Sequence, residues 1–209
     1  DADRCFVVDE KGEPVSPSTI CALIAERYLA ERPGSTIIHN LITSKAVPEI
    51  VKEAGGTPVR TRVGHSFIKA TMAERGAVFG GEHSAHYYFS DFFNADSGLL
   101  AALHVLAQLG EKELPLSELK ARYQRYASSG EVNFQVADQK AATEAVVERF
   151  RDRADGVDEL DGVTVELPGG AWFNLRASNT EPLLRLNAEA PSQSSCREIV
   201  DEVTGILQG

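Results

Sequence analysis

Apolar residues change their spacing several times along this chain, and each change marks an element. The run Cys5-Phe-Val-Val8 and the turn Lys11-Gly12-Glu13 predict a strand pair over residues 1–13. From Ser16-Pro-Ser18 to Glu31 the spacing is helical, with Ile20, Leu23, Ile24 and Ala25 on the buried side, Ser16 or Ser18 as cap and Arg32-Pro-Gly34 as terminator. Short β-branched runs at 35–38, 57–62 and 77–79 then alternate with helical stretches at 45–54 and 65–74, a pattern that predicts a parallel sheet flanked by helices. Two more helices are expected at 97–109 and 116–126.

The small polar segment Ala127-Ser-Ser-Gly130 reads as a linker, and the pattern changes after it. A strand at 131–136 and a helix at 139–153 precede three strands at 163–167, 171–176 and 183–188, with Pro168-Gly-Gly170 as a turn and a last helix at 192–207. The expected fold class is α/β: a parallel three-layer α/β domain, residues 14–126, followed by a smaller α+β domain with an antiparallel sheet, residues 127–209.

Composition narrows the function classes. Of 209 residues, 43% are hydrophobic, enough for cores, yet no apolar stretch reaches the roughly 18 to 20 residues a membrane span requires. The net charge of −10 argues against nucleic acid and against an anionic membrane surface as partners, since both are bound through a broad excess of Lys and Arg. Against that acidic background Arg60, Arg62, His65 and Lys69 fall close together, and three histidines (His65, His83, His86) lie between positions 65 and 86. Such a local cationic site suits a small phosphorylated ligand. Cys5, Cys21 and Cys196 have neither disulfide-framework nor zinc-knuckle spacing, and each is expected to pack as a small hydrophobe in a reducing compartment.

Four segments carry candidate chemistry. Arg176-Ala-Ser-Asn-Thr-Glu-Pro182 joins two apolar strands. A tight loop there can aim backbone N–H groups, the Ser178 and Thr180 hydroxyls, the Asn179 amide and the Arg176 fork at a phosphate, although the same residue types also build ordinary polar hairpin loops. Asp1-Ala-Asp3-Arg4 places two carboxylates on one face of an extended segment, a hard-oxygen pair suited to magnesium, while in isolation it reads as a solvated turn. Gly64-His65-Ser66 sits where a strand hands over to a helix, so N–H groups and the positive end of the helix dipole face a ligand. Gly81-Glu82-His83-Ser84-Ala85-His86 offers a carboxylate and a hydroxyl at alternate positions, an arrangement for adjacent sugar hydroxyls. His83 is expected to face outward, and the His-Glu-x-x-His signature of a zinc hydrolase is absent. The aromatic run Tyr87-Tyr-Phe89 with Phe92-Phe93 reads as core packing.

Together, Asp1-Ala-Asp3-Arg4, Arg62-Val-Gly-His-Ser-Phe-Ile-Lys69, Gly80-Gly-Glu-His-Ser-Ala-His86 and Arg176 to Pro182 resemble the phosphohexomutases, the phosphomannomutase/phosphoglucomutase family, in motif, order and spacing. The family motifs are Asp-Gly-Asp-x-Asp-Arg, Gly-Glu-x-Ser-Gly and Arg-x-Ser-x-Thr-x-Pro. The resemblance implies a cytoplasmic isomerase that interconverts mannose or glucose 6-phosphate and 1-phosphate through a hexose 1,6-bisphosphate and an enzyme phosphoserine. A phosphoglucosamine mutase and a non-catalytic phosphosugar-binding module are the alternatives. It further implies Asp1 and Asp3 as Mg²⁺ ligands, Arg4, His65 and His86 as catalytic residues, and Arg62, Glu82, Ser84, Arg176, Ser178, Asn179 and Thr180 as substrate-binding residues. Glu82 and Ser84 would read the sugar's O3 and O4.

Three departures from the family pattern shape the expectation. The first Asp and Gly of the metal loop have no counterpart, nor has the phosphoserine domain. Residues 1–13 then read as the remnant of a second domain, magnesium binding as weak or absent, and the chain as inactive without N-terminal domains of the same polypeptide. Ala85 stands where the family has Gly, which restricts the backbone if that position needs a positive φ. Ile42 stands near the place of a basic lysine, for which Arg60, Arg62 and Lys45 are candidate substitutes.

Overall fold

A computed structural model describes every residue except Asp1, Asn179, Thr180 and Pro182. The chain divides into two compact units, Asp1–Arg125 and Tyr126–Gly209.

The first unit opens with a hairpin of β1 (Val7–Val8) and β2 (Pro14–Val15), then α1 (Pro17–Glu31), β3 (Thr36–Asn40), α2 (Ala46–Glu53), β4 (Thr57–Thr61), α3 (His65–Arg75), β5 (Phe79–Gly81), β6 (Tyr87–Phe89), β7 (Ala95–Asp96), α4 (Gly98–Lys112) and α5 (Leu116–Ala121). Its sheet has the order β4-β3-β5-β6-β7. β4, β3 and β5 are parallel, as the alternation of strands and helices predicts, and β6 and β7 add an antiparallel extension. That extension comes from the aromatic run: Tyr87, Tyr88 and Phe89 are core residues and reach the core as a strand, whereas Phe92 and Phe93, expected with them, are exposed because they lie on the turn between β6 and β7. Because neighbouring strand residues point to opposite faces, Tyr87 reaches back to α1, donating to the Pro17 carbonyl at 3.2 Å, while Tyr88 packs with Ile38, Ile68 and Met72 under α3.

α1 carries a continuous buried stretch from Ser18 to Ala25 where an amphipathic stripe is usual, because it packs against α2 and α4 as well as the sheet. A glycine lets it settle so deeply. A Cβ on Gly81 would lie 2.3 Å from the Cys21 sulfur, so β5 and α1 meet at a distance that only a missing side chain permits.

The N-terminal hairpin is tied down electrostatically. Asp9 Oδ1 accepts from the backbone N–H groups of Lys11 and Glu13, each at 2.9 Å, and Oδ2 takes Lys120 Nζ at 2.6 Å from α5. The Lys120 ammonium holds the Asp9 carboxyl below the usual carboxylate range, and the two N–H groups add to it. A depressed folded-state value makes this contribution complete above the unfolded aspartate range near about pH 4, and lost as pH falls through the folded value. Thermal melts from pH 7 down to pH 2.5 should therefore show an acid-side loss of stability that is shallower in Asp9→Asn. Identical acid slopes would remove Asp9 from the account.

The second unit comprises β8 (Ala127–Phe134), α6 (Gln139–Phe150), β9 (Gly156–Asp158), β10 (Val163–Glu166), β11 (Trp172–Ala177), β12 (Leu184–Ala190) and α7 (Gln193–Gln208). Its antiparallel sheet has the order β8-β12-β11-β10-β9, with α6 and α7 packed on one face. Two sequence expectations change here. Ala127-Ser-Ser-Gly130 forms no linker but the start of β8, paired through Ala127↔Ala190 and Ser128↔Glu189. The register shifts between Asn187 and Glu189, and Ser129 Oγ accepts from Ala188 N–H at 2.9 Å. Small polar residues mark a bulged edge strand as readily as a linker. The expected helix at 116–126 ends at Ala121, and β9 had no periodic signal.

Candidate functional site

The C-terminal ends of β3, β4 and β5 open where the chain, after running from β3 to β4, crosses to the other side of β3, a switch point at which open α/β sheets bind ligands. A cleft of about 420 Å³ lies there. Asp3, Arg4, His65, Glu82, Ser84 and His86 all line it, so six of the residues expected from sequence come together from three separate segments. Arg62 does not line it, and its guanidinium lies over the Phe67 ring, 4.7 Å from the centroid. Asp1 lies outside the described residues.

The loop from Gly81 to His86 is built as a tight turn. Glu82 N–H donates to the His86 carbonyl at 3.0 Å and Ala85 N–H to the Glu82 carbonyl at 3.2 Å. Ala85, fully buried, closes the turn at φ 68°, the left-handed conformation that favours glycine. The N-terminal segment crosses this turn, with Cys5 N–H donating to the Ala85 carbonyl at 3.1 Å and an Arg4↔His86 bridge. Ser84 Oγ and His86 Nδ1 are 2.9 Å apart, and His86 Nε2 faces Asp3 Oδ2 at 3.7 Å. His83 does not face outward as expected: half-buried, its Nδ1 lies 3.0 Å from Ser18 Oγ, which also accepts from Ser44 N–H.

Glu82 is 2% exposed and held from three sides. Tyr88 donates its hydroxyl to Oε1 at 2.6 Å, while Asn40 Nδ2 and Gly64 N–H donate to Oε2, each at 3.2 Å. A second charged pair completes the cleft wall. Lys69 Nζ lies 3.1 Å from Asp96 Oδ1. Burial opposes ionisation of Asp96, but the Lys69 contact overrides it and holds the carboxyl below its usual range. Of the cleft's cations, Lys69 and Arg4 are long side chains, whereas Arg60, Arg62 and Lys45 do not line it and Ile42 is buried. Beneath, burial pushes His39 down to about 4, and its imidazole, bonded to Thr43 Oγ1, belongs to the packing.

Ligand atoms of Asp3, His86 and Asp96 lie within 4.8 Å of one another. This is a mixed nitrogen and oxygen set in which one carboxylate already holds an ammonium. Mg²⁺ asks for oxygen ligands in near-octahedral array, so the described residues do not fit it.

In the second unit the phosphate-loop residues sit at the β11–β12 turn. Arg176, 7% exposed, stands directly across from Arg185 in the ladder. Arg185 contacts Glu181 at 3.1 Å and Glu131 at 3.6 Å, and the Nε atoms of both arginines are buried with no hydrogen-bond partner among the described residues. Ser178 N–H donates to the Leu183 carbonyl at 2.8 Å and Ser178 Oγ accepts from Glu181 N–H, so part of the loop's donor set closes the turn itself. Asn179 and Thr180 lie outside the described residues.

Sequence reading missed Asn40, Tyr88, Asp96 and Arg185. Asp96 and Asn40 arrive through the fold alone. No helix among the described residues is long and apolar enough to cross a membrane.

Comparison with known proteins is consistent across the chain. Residues 16–126 match the model of phosphoglucomutase/phosphomannomutase alpha/beta/alpha domain III, and residues 131–206 that of the C-terminal domain of the same family. A phosphomannomutase of Methanocaldococcus jannaschii is 42% identical over 99% of this chain and 45% of its own length. A phosphomannomutase of Salmonella typhimurium is 42% identical over 91% of the chain and 42% of its own. A solved phosphoglucomutase/phosphomannomutase family protein from Burkholderia thailandensis superimposes with a TM-score of 0.85 at 30% identity, covering the whole chain and 44% of that protein. The chain thus spans about half the length of the curated relatives it matches. With both units matched in order, the chain belongs to the phosphoglucomutase/phosphomannomutase family.

Proposed function

We propose that this chain is the sugar- and phosphate-recognising part of a mutase that interconverts hexose 6-phosphate and hexose 1-phosphate, with mannose or glucose as the sugar and a hexose 1,6-bisphosphate as intermediate. The observation that carries the reading is the Arg176–Arg185 pair. Like charges directly opposite in an antiparallel ladder are destabilising, and on each guanidinium a buried Nε has no hydrogen-bond partner among the described residues. A phosphate dianion between them turns the repulsion into charge-assisted hydrogen bonds.

In the other unit, Glu82 and Ser84 accept and exchange hydrogen bonds with sugar hydroxyls, and Arg4 adds positive charge to the same cleft. His65 and His86, both in the lining, are the groups placed to move a proton at the reacting oxygens. Phosphoryl exchange itself is assigned to a serine-bearing domain of a longer polypeptide.

Phosphorus NMR of the chain titrated with mannose 1-phosphate should show a saturable shift and no hexose 6-phosphate signal. Arg176→Ala should weaken binding by about 10- to 150-fold, the worth of one charged hydrogen-bond set of roughly 1.5–3 kcal/mol. Arg149→Ala, whose exposed side chain pairs with Glu202, should leave it unchanged. Equal affinity in both variants would discard the phosphate assignment.

A further inference from the structure

A carboxylate offers about four lone-pair directions, and at Glu82 three are occupied by donors from three different segments: one on Oε1 by Tyr88, two on Oε2 by Asn40 and Gly64. One acceptor site on Oε1 remains. The other polar neighbour of Oε1, His86 Nδ1, stands at 4.0 Å, and that nitrogen already has Ser84 Oγ at 2.9 Å. Glu82 can therefore accept from a single sugar hydroxyl, and the Tyr88 hydroxyl determines which direction is left for it.

Nothing in the packing asks for a phenol at position 88. The ring is fully buried among Ile38, Ile68, Met72 and Ala77, surroundings that phenylalanine fills equally well, and Lys69 Nζ lies 5.7 Å from its centroid on the cleft side. Among the described residues the hydroxyl bonds Glu82. Burial and the adjacent Glu82 push the Tyr88 phenol far above its usual range, so it stays a donor at every working pH.

We propose that Tyr88 is a positioning residue for sugar recognition: by holding Glu82 Oε1 it restricts the carboxylate to one hydroxyl of a hexose phosphate and so sets hydroxyl specificity in the cleft. This rests on the reading of the cleft as a sugar site. Tyr88 touches no substrate, and its effect passes entirely through Glu82.

The test is titration calorimetry on the whole chain with mannose 1-phosphate, its 3-deoxy and 4-deoxy analogues, and inorganic phosphate. The wild-type chain should prefer mannose 1-phosphate over one of the two analogues by about tenfold or more, since a site built to bond a hydroxyl rejects the analogue that lacks it. Tyr88→Phe should cut that preference to about threefold or less and leave inorganic phosphate binding unchanged. Glu82→Gln should lose the preference too, and the double variant should lose no more than Glu82→Gln alone, the non-additivity expected of residues acting through one contact.

A purely packing role for Tyr88 would leave the ratio between analogues intact, and that result overturns the proposal. So would additive losses in the double variant. The wild-type chain gives a reading that needs no variant: the Tyr88 hydroxyl proton, bonded to a carboxylate, should shift on adding mannose 1-phosphate and not on adding inorganic phosphate, and an unmoved proton counts against the assignment. A chain that binds inorganic phosphate without discriminating the deoxy sugars overturns the Tyr88 assignment alone. A chain that binds none of the probes overturns the functional reading and this inference with it.

Discussion

Phe173→Ala should destabilise the second unit by about 3–5 kcal/mol, the usual cost of deleting a fully buried ring whose surroundings close only partly. Phe173 and Phe150 are both fully buried, with ring centroids 4.7 Å apart in an edge-to-face contact, so the substitution removes burial and a ring pair together. The cavity would lie between β11 and α6, beneath the strand that carries Arg176. For a unit of this size the midpoint should fall by roughly 15 °C or more. Calorimetry would measure it, and hydrogen exchange should show lost protection in Gln139–Phe150 and Gln193–Gln208. Leu160→Ala, at a 41% exposed position, should change stability by no more than about 0.5 kcal/mol. A Phe173→Ala midpoint within a few degrees of wild type would mean that the core repacks around the gap.

Gly98→Ala and Gly110→Ala should move in opposite directions although both put alanine into α4. Nothing lies within 4 Å of a Cβ at Gly110, so that change should stabilise by about 0.5–1 kcal/mol through helix propensity and a smaller unfolded ensemble. At Gly98 the same Cβ would sit 2.2 Å from the Arg4 carbonyl oxygen and 2.7 Å from its carbon. Those are backbone atoms with no rotamer to change, and the Gly98 N–H also donates to the Ala2 carbonyl at 3.0 Å. Overpacking of this kind costs about 1–3 kcal/mol, which exceeds the propensity gain. The expected outcome is release of residues 2–5 from the start of α4, seen as faster exchange of the Cys5 amide that bonds Ala85 and as loss of Asp3 and Arg4 from the cleft wall. A Gly98→Ala chain as stable as Gly110→Ala, with Cys5 still protected, would show that the N-terminal segment is not seated by this contact.

The two tests differ in how far they could have been read from the residues. That Phe173 is core follows from the alternation of Trp172, Phe173, Asn174, Leu175 and Arg176, which puts Phe173 and Leu175 on one face of a strand. That Phe150 is its ring partner does not follow, because periodicity says which face of a helix is apolar and not which strand that face meets. Gly98 carries no signal at all in sequence. It reads as a poor first residue for a helix until Arg4 is seen lying on it.

The site divides the same way. Local motifs were legible because their chemistry is local: Glu82, Ser84 and His86 fall within one five-residue turn, and Ala85, flagged as a residue standing where glycine is usual, does take a positive φ. Ala127-Ser-Ser-Gly130 misled because bulged edge strands and linkers draw on the same small polar residues, and only the partner strand distinguishes them. His83 misled because nothing in its own loop signals the Ser18 hydroxyl waiting on α1.

By itself, then, the amino-acid order determined the alternation of strands and helices, the parallel unit followed by the antiparallel one, and three of the segments that meet in the cleft. Hydrogen-bonding periods and turn residues act over a few positions, and a few positions are enough to express them. Only the tertiary structure decided that Asn40, Gly64 and Tyr88 converge on one carboxylate, that Lys69 neutralises Asp96, and that Arg176 faces Arg185. Those pairings depend on strand order, crossover and register, which bring together residues from six to more than forty positions apart. No local property of either partner encodes the other.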